Sequence, residues 1–289
     1  MALALVSPRP QRPRYDLTIG KSRIRLYLGD CLDVLPALDP GSMGVVVTSP
    51  PYNLGIKYRT YRDDLPRAEY LAWTERWVRG VSRALAPRGS FFLNVGAKPT
   101  DPWIPLEVAQ VARMHLKLQN TIHWVKSIAI DREAASVAGF ERDVAVGHYK
   151  PINSDRFVND CHEYIFHFSH GARTPIDRRA IGVPYQDKSN VARWASAGAD
   201  KRCRGNTWFI PYETIQRRDR DRPHPASFPP KVPEQCIRLH GQARAGVVLD
   251  PFLGLGSTAM AAVRLGLDFV GIEMDEQYLK EALKRIQNT

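Results

Sequence analysis

Two short strings in this 289-residue chain bring together residue types that could act on one small molecule. In the first, Thr48-Ser49-Pro50-Pro51-Tyr52-Asn53 follows directly on the β-branched run Val45-Val46-Val47. Two successive prolines fix φ at both positions and remove both N–H donors, leaving a stiff loop that offers its carbonyl groups outward as acceptors. Acceptors of that kind suit an amine. If the Ser49 hydroxyl and the Pro50 carbonyl both accept from an exocyclic NH2, its nitrogen is drawn toward tetrahedral geometry and its lone pair turns toward an electrophile. Tyr52 adds a ring on which an unstacked base can lie, worth roughly 1–3 kcal/mol per base–aromatic pair. Standing alone, the string also reads as a plain Pro-rich turn.

The second string is Asp250-Pro251-Phe252-Leu253-Gly254-Leu255-Gly256-Ser257-Thr258, between a short apolar run and a helical pattern. Glycine at 254 and 256 lets the backbone turn tightly off a strand and approach a ligand that a Cβ would hold away. In doubly wound sheets a ligand lies beyond the carboxyl ends of the strands, and an acidic residue about one βαβ unit further on accepts from a ribose diol. Glu273 stands where that carboxylate belongs. The fuller glycine pattern for a dinucleotide is met only in relaxed form, since Ala259 fills its third place, and the Gly-Lys-Ser/Thr of a phosphate-binding loop is absent.

The elements that must position these strings alternate between strand and helix. Ile24, Leu26 and Leu28 alternate as in a strand, Gly29-Asp30 ends it, and a short helix is expected over 31–38. The spacing of Tyr70, Leu71, Trp73, Trp77, Val78, Val81 and Leu85 predicts an amphipathic helix over 67–86. Strands are expected at 91–95, 120–125, 163–168, 247–249 and 269–273, with helices near 106–116, 232–239, 258–265 and 278–286. This rhythm predicts an α/β fold, a doubly wound Rossmann-like sheet. Between about 131 and 222 the rhythm fails. Within it, residues 171–222 carry twelve basic against six acidic side chains, which reads either as a DNA-facing lobe or as an ordinary solvated surface.

A hydrophobic fraction of 44% with 25% charged residues excludes a disordered or fibrous chain. No apolar run approaches a membrane span, and the start of the chain lacks the order of a secretory signal, so a cytoplasmic location is expected. The four cysteines lie far apart, with no C-x-x-C pair and no metal-ligand spacing, so neither a disulfide framework nor a metal site is expected. A formal charge of +11 points to a polyanionic partner, because Lys and Arg displace counterions from phosphates. Residues 1–15 read as a flexible basic tail or as an arm laid along that partner.

Together the two strings resemble the catalytic motif (Ser49-Pro50-Pro51-Tyr52) and the cofactor motif (Asp250 to Thr258) of the amino-methylating DNA methyltransferases. His224-Pro225-Ala226-Ser227-Phe228-Pro229 is similar to that family's H-P-A-x-F-P segment, and the order of the elements matches its permuted β group. The resemblance implies a Rossmann-like methyltransferase sheet with an inserted, irregular DNA-recognition region. Residues 16–130 would form the catalytic half, 131–222 the recognition region and 223–289 the cofactor half.

It also implies S-adenosylmethionine as cofactor, with Asp250, Phe252, Gly254, Gly256, Ser257 and Thr258 around the methionine and sugar, Pro225 and Phe228 over the methionine end, and Glu273 on the ribose hydroxyls. Asp30 would lie near the adenine amine, or else be only a helix cap. Double-stranded DNA is the implied substrate, a cognate restriction endonuclease an implied partner, and the state a monomer or homodimer. Serine at the head of the catalytic tetrad is usual for cytosine-N4 enzymes of the family and aspartate for adenine-N6 enzymes, which favours cytosine. An adenine-N6 enzyme, an RNA or protein-glutamine methyltransferase and a non-catalytic DNA-binding protein are the alternatives.

Overall fold

The computed structural model describes residues 12–147, 154–193, 200–211 and 228–289. The chain opens with a hairpin, β1 (Tyr15–Ile19) and β2 (Ser22–Leu28), followed by the short α1 (Cys31–Val34) and β3 (Met43–Thr48). Next come α2 (Arg67–Ala84), β4 (Leu85–Val95), α3 (Ile104–Ala112) and β5 (Lys117–Val125). A small hairpin, β6 (Ile128–Ile130) and β7 (Val144–Val146), encloses α4 (Arg132–Ser136). After it stand β8 (His162–Ser169), α5 (Ser189–Arg193) and β9 (Thr207–Phe209). The last quarter is α6 (Lys231–His240), β10 (Val247–Asp250), α7 (Ser257–Arg264), β11 (Asp268–Glu273) and α8 (Glu276–Gln287).

Nine strands form one sheet in the order β1-β2-β11-β10-β3-β4-β8-β5-β9. Its middle, from β2 to β4, is parallel throughout, as the strand–helix alternation predicts. β3 is buried along nearly its whole length, which is why Val45-Val46-Val47 carries no polar interruption. Side chains alternate between the two faces: Val45, Val47, Val248 and Phe269 pack under α6, α7 and α8, while Val46, Leu249 and Val270 pack under α1 and α2. The result is a three-layer α/β/α molecule with a separate core on each face of the sheet.

Two features go beyond the alternation pattern. β1 begins at Tyr15, the last residue of the stretch read in sequence as a basic tail; its alternate residues are exposed, and it is held to β2 by backbone pairing and by Arg23, which bonds Asp16. β8 inserts antiparallel between β4 and β5, and β9 pairs with β5, so parts of the irregular 131–222 stretch complete the main sheet. Among the described residues no helix is long and apolar enough to cross a membrane.

The order in which the chain adds strands reverses between β3 and β10. From β3 the chain proceeds outward to β4, and from β10 outward to β11 on the other side. Such a switch point opens a crevice at the carboxyl ends of the strands, and it is there that both chemistry-bearing strings emerge.

Gly44 on β3 marks how closely the turn before β10 approaches: a Cβ there would lie 1.9 Å from the Ala245 carbonyl oxygen. Because the obstacle is backbone, no rotamer change relieves it. Gly44→Ala is expected to destabilise the fold by about 1–3 kcal/mol or more through overpacking, seen as a lower midpoint in denaturant at an unchanged slope. A midpoint equal to that of the wild type would show that β3 and this turn are not in contact.

Candidate active site

Four parallel strands deliver their carboxyl ends to one open cleft. β2 contributes Gly29 and Asp30, β3 contributes Ser49 to Tyr52, β10 contributes Pro251 to Leu255, and β11 contributes Glu273 and Met274. The stiff proline loop and the glycine turn, about 200 residues apart in sequence, therefore share a wall. A buried carboxylate joins them. Asp250 Oδ1 accepts from Thr48 Oγ1 at 2.6 Å and from the Phe252 amide at 3.0 Å, while Oδ2 accepts from Thr258 Oγ1 at 2.7 Å. Burial pushes the Asp250 carboxyl up to about 6, and these three donors oppose that rise.

Of the residues singled out in sequence, Asp30, Ser49, Pro50, Pro51, Tyr52, Phe228, Phe252, Gly254, Ser257 and Glu273 line the cleft. Asp250, Gly256 and Thr258 stand behind its wall, and Pro225 lies outside the described residues. Gly256 has φ of +80°, and its missing Cβ faces Ala282 and Ile286 of α8 at 3.2–3.3 Å. What needs glycine there is the left-handed turn and the packing of the last helix, rather than room for a ligand. Ser257 Oγ donates to the Phe228 carbonyl at 2.7 Å, tying the glycine turn to the end of the H-P-A-x-F-P segment.

Of the two readings left open for Asp30, the structure shows the helix cap. One oxygen caps α1 by accepting from the Leu32 amide at 2.9 Å, and the residue still forms part of the cleft. Glu273 accepts from the Gly254 amide through Oε2 at 2.8 Å and from the Asp275 amide through Oε1 at 2.9 Å. Each carboxylate oxygen keeps a second lone pair, so a diol can still be received. Burial pushes Glu273 up to about 7, further helped by the nearby Asp275 and Asp250 charges and opposed by the two amides.

The proline loop is held from below. Tyr70 of α2 donates to the Pro51 carbonyl at 2.9 Å. Asn53, at φ of +59°, bonds Leu65 through both ends of its amide, and the buried Asp63 carboxylate accepts from the backbone of Asn53, Leu54 and Ile56. That loop brings Tyr58 and Tyr61 to the cleft, where Trp73 of α2 also stands. Phe252 is fixed against Trp73 and Trp77, with ring centroids 5.5 and 5.2 Å away. Tyr52 is not simply a free ring: its hydroxyl lies 2.5 Å from Ser49 Oγ, accepts from Asn94 Nδ2 at 2.7 Å and donates to Glu163 at 3.1 Å.

Asn94, Glu163, Tyr58, Tyr61 and Trp73 are the residues that sequence reasoning misses. Asn94 could have been noticed as a polar residue within the apolar strand Phe91 to Val95, and Glu163 as a charge heading another; the tyrosines carry no such mark. Among the described residues no group of His, Cys, Asp and Glu could hold a metal ion. The four cysteines are free, and only Cys31 touches the cleft.

Chemically, the cleft sets hydrogen-bond acceptors and aromatic rings around one open space. Residues 43–284 match the family model described as DNA methylase, which spans the N6 and N4 enzymes. The chain is 31% identical over 271 residues to the type II methyltransferase M.ScaI of Streptomyces caespitosus, covering 92% of this chain and 82% of the relative. It is 25% identical over 264 residues to the type II methyltransferase M.HpaI of Haemophilus parainfluenzae, with 91% and 74% covered.

Among solved structures, PvuII DNA methyltransferase, described as cytosine-N4-specific, superposes with a TM-score of 0.65 at 21% identity, over 95% of this chain and 89% of that one. The complex of M1.HpyAVI with SAM gives 0.53 at 18% identity, over 91% and 99%. These two show the shared fold. By the match of the family model across most of its length, the chain belongs to the N6/N4 DNA methylase family.

Proposed function

We propose that this DNA methyltransferase transfers a methyl group from S-adenosylmethionine to the N4 amine of a cytosine turned out of duplex DNA. One observation carries the choice of an amine: Ser49 and the proline loop stand beside the glycine turn in a single cleft, joined through Thr48 and Asp250. The choice of cytosine rests on serine, rather than aspartate, at the head of the tetrad. That the PvuII enzyme, described as cytosine-N4-specific, shares this fold agrees with it.

The residues present fit the cofactor. Gly254 and Phe252 would flank its methionine and sugar, Glu273 would receive the ribose hydroxyls, and Asp30 would lie at the adenine end. When bound, the cofactor supplies an electrophilic methyl group on a sulfonium. Ser49 Oγ and the Pro50 carbonyl then accept from the target amine and aim its lone pair, the amine releases one proton to solvent on gaining the methyl group, and Tyr52 supports the base. Proximity and orientation are the main contributions required of the protein, and no covalent enzyme intermediate is needed. Bringing the base into the cleft costs a few kcal/mol, offset by stacking and by phosphate contacts from the basic 171–222 stretch. A cognate restriction endonuclease acting at the same site is the partner this reading implies.

Two measurements follow. Mass spectrometry of nucleosides from duplex DNA treated with the purified protein and cofactor is expected to show 4-methylcytosine. Finding 6-methyladenine alone would overturn the choice of base, and a preference for RNA or peptide acceptors would overturn the choice of substrate.

The second concerns Glu273, which sits at about 7. Above that pH the side chain is a carboxylate and accepts from the diol; below it the side chain is protonated, and binding must first release that proton. The dissociation constant for S-adenosylmethionine, measured by calorimetry, should therefore rise as pH falls from about 8 to about 6, by up to roughly tenfold per unit, and Glu273→Gln should flatten the curve. A wild-type constant that does not change over this range would remove Glu273 from the cofactor site.

A further inference from the structure

Glu163 lies on β8, away from both motifs, and is only 8% exposed. Its Oε2 accepts from Asn94 Nδ2 at 2.6 Å and from the Tyr52 hydroxyl at 3.1 Å, and its Oε1 accepts from Lys126 Nζ at 3.1 Å. The contact is tight. A Cβ on Gly96 would lie 3.0 Å from Glu163 Cγ and 3.1 Å from a Tyr52 ring carbon, so the two side chains close over a glycine.

Proton counting gives this chain of bonds a direction. A carboxylate oxygen only accepts, whereas a phenol or alcohol oxygen carries one proton and can also accept. Glu163 Oε2 faces the Tyr52 oxygen, and without a proton between them the two sets of lone pairs would repel. The Tyr52 proton therefore points at Glu163. Asn94 has two amide protons, and its shortest contacts are to Glu163 and to the Tyr52 oxygen at 2.7 Å; turning the amide over would set its carbonyl against the carboxylate. The 2.5 Å contact between Ser49 Oγ and the Tyr52 oxygen is then bridged by the Ser49 proton, and Asn94 Nδ2 also approaches Ser49 Oγ at 3.3 Å. Ser49 keeps a lone pair for whatever enters the cleft.

We propose that Glu163 is a positioning residue for amine methylation: acting through Tyr52, it turns the Ser49 proton away from the cleft, so that Ser49 meets the exocyclic amine as an acceptor and never as a donor. The inference rests on the reading of the cleft as an amine-methylating site and adds the group that sets the polarity of its acceptor.

A double-mutant cycle tests it. In Glu163→Gln the amide oxygen stays on Lys126, so an NH2 replaces the acceptor that Asn94 and Tyr52 share, and the Tyr52 proton loses its carboxylate. The Tyr52 proton is then no longer held away from Ser49, and the Ser49 proton is free to turn into the cleft. Single-turnover methylation of duplex DNA at saturating S-adenosylmethionine should fall roughly tenfold or more, with dissociation constants for both ligands within about twofold of wild type. In a Tyr52→Phe background the link is missing, so adding Glu163→Gln should change the rate by less than about twofold.

A folding defect or a purely structural role would lower the rate equally in both backgrounds, and that result overturns the proposal. So does an unchanged rate for Glu163→Gln alone. A Tyr52→Phe enzyme with no measurable transfer overturns it as well, because the phenol oxygen would then have a task of its own. If the wild-type protein methylates no base amine, it is the underlying reading of the site that fails.

Discussion

The Asp250 carboxylate, 1% exposed at the tip of β10, is the constraint on which the cleft depends. An isolated charge in such a place would be strongly disfavoured, and a buried acceptor that loses one partner costs about 1–3 kcal/mol. Its three donors come from separate places: Thr48 at the end of β3, Phe252 in the glycine turn and Thr258 in the first turn of α7. Satisfying the carboxylate therefore fixes the spacing of two loops that the chain itself leaves about 200 residues apart. The proline loop cannot slide along the glycine turn without leaving a buried oxygen unpaired.

Helix α2 supports the same junction from the other face of the sheet. Its sequence reads as an ordinary amphipathic helix, yet the buried stripe includes three residues that touch the functional loops. Tyr70 holds the Pro51 carbonyl, and Trp73 and Trp77 fix the Phe252 ring. Core packing and loop geometry are thus one property here. The aromatic residues that bury the greatest area in α2 also orient the two strings that carry chemistry.

Much of this was legible in advance for a physical reason: the strings Ser49 to Tyr52 and Asp250 to Ser257 follow buried strands, and buried parallel strands announce themselves as short β-branched runs. What was not legible depends on which strands become neighbours. Asn94 and Glu163 come together because β8 enters antiparallel beside β4, and nothing in the local pattern of either strand states that pairing. The edge strand β1 was hidden because it is only five residues long and half exposed, although Tyr15, Leu17 and Ile19 alternate as a strand does. Gly256 teaches a different lesson. Its type was recognised, but the neighbour that requires glycine is α8 and not the cleft, a distinction only the packing reveals.

Charge is distributed in the molecule in a way that suits two unlike ligands. The chain carries a formal +11, yet among the described residues no Lys or Arg lines the cleft; its polar walls are Asp30, Glu273 and hydroxyl groups, and the rest is largely aromatic and aliphatic. Such a wall does not attract phosphate. Carboxylates and ring faces instead favour a compact cation held out of water, as a sulfonium is. On the proposed reading, the basic surface collects the polyanion by displacing its counterions, while the interior selects the cationic methyl donor and admits only the uncharged base. Separating the two fields also keeps Ser49 useful. With no Lys or Arg among the described residues of the cleft wall competing for its lone pairs, the orientation of one hydroxyl proton decides, on the proposed reading, whether an incoming amine is drawn in or repelled.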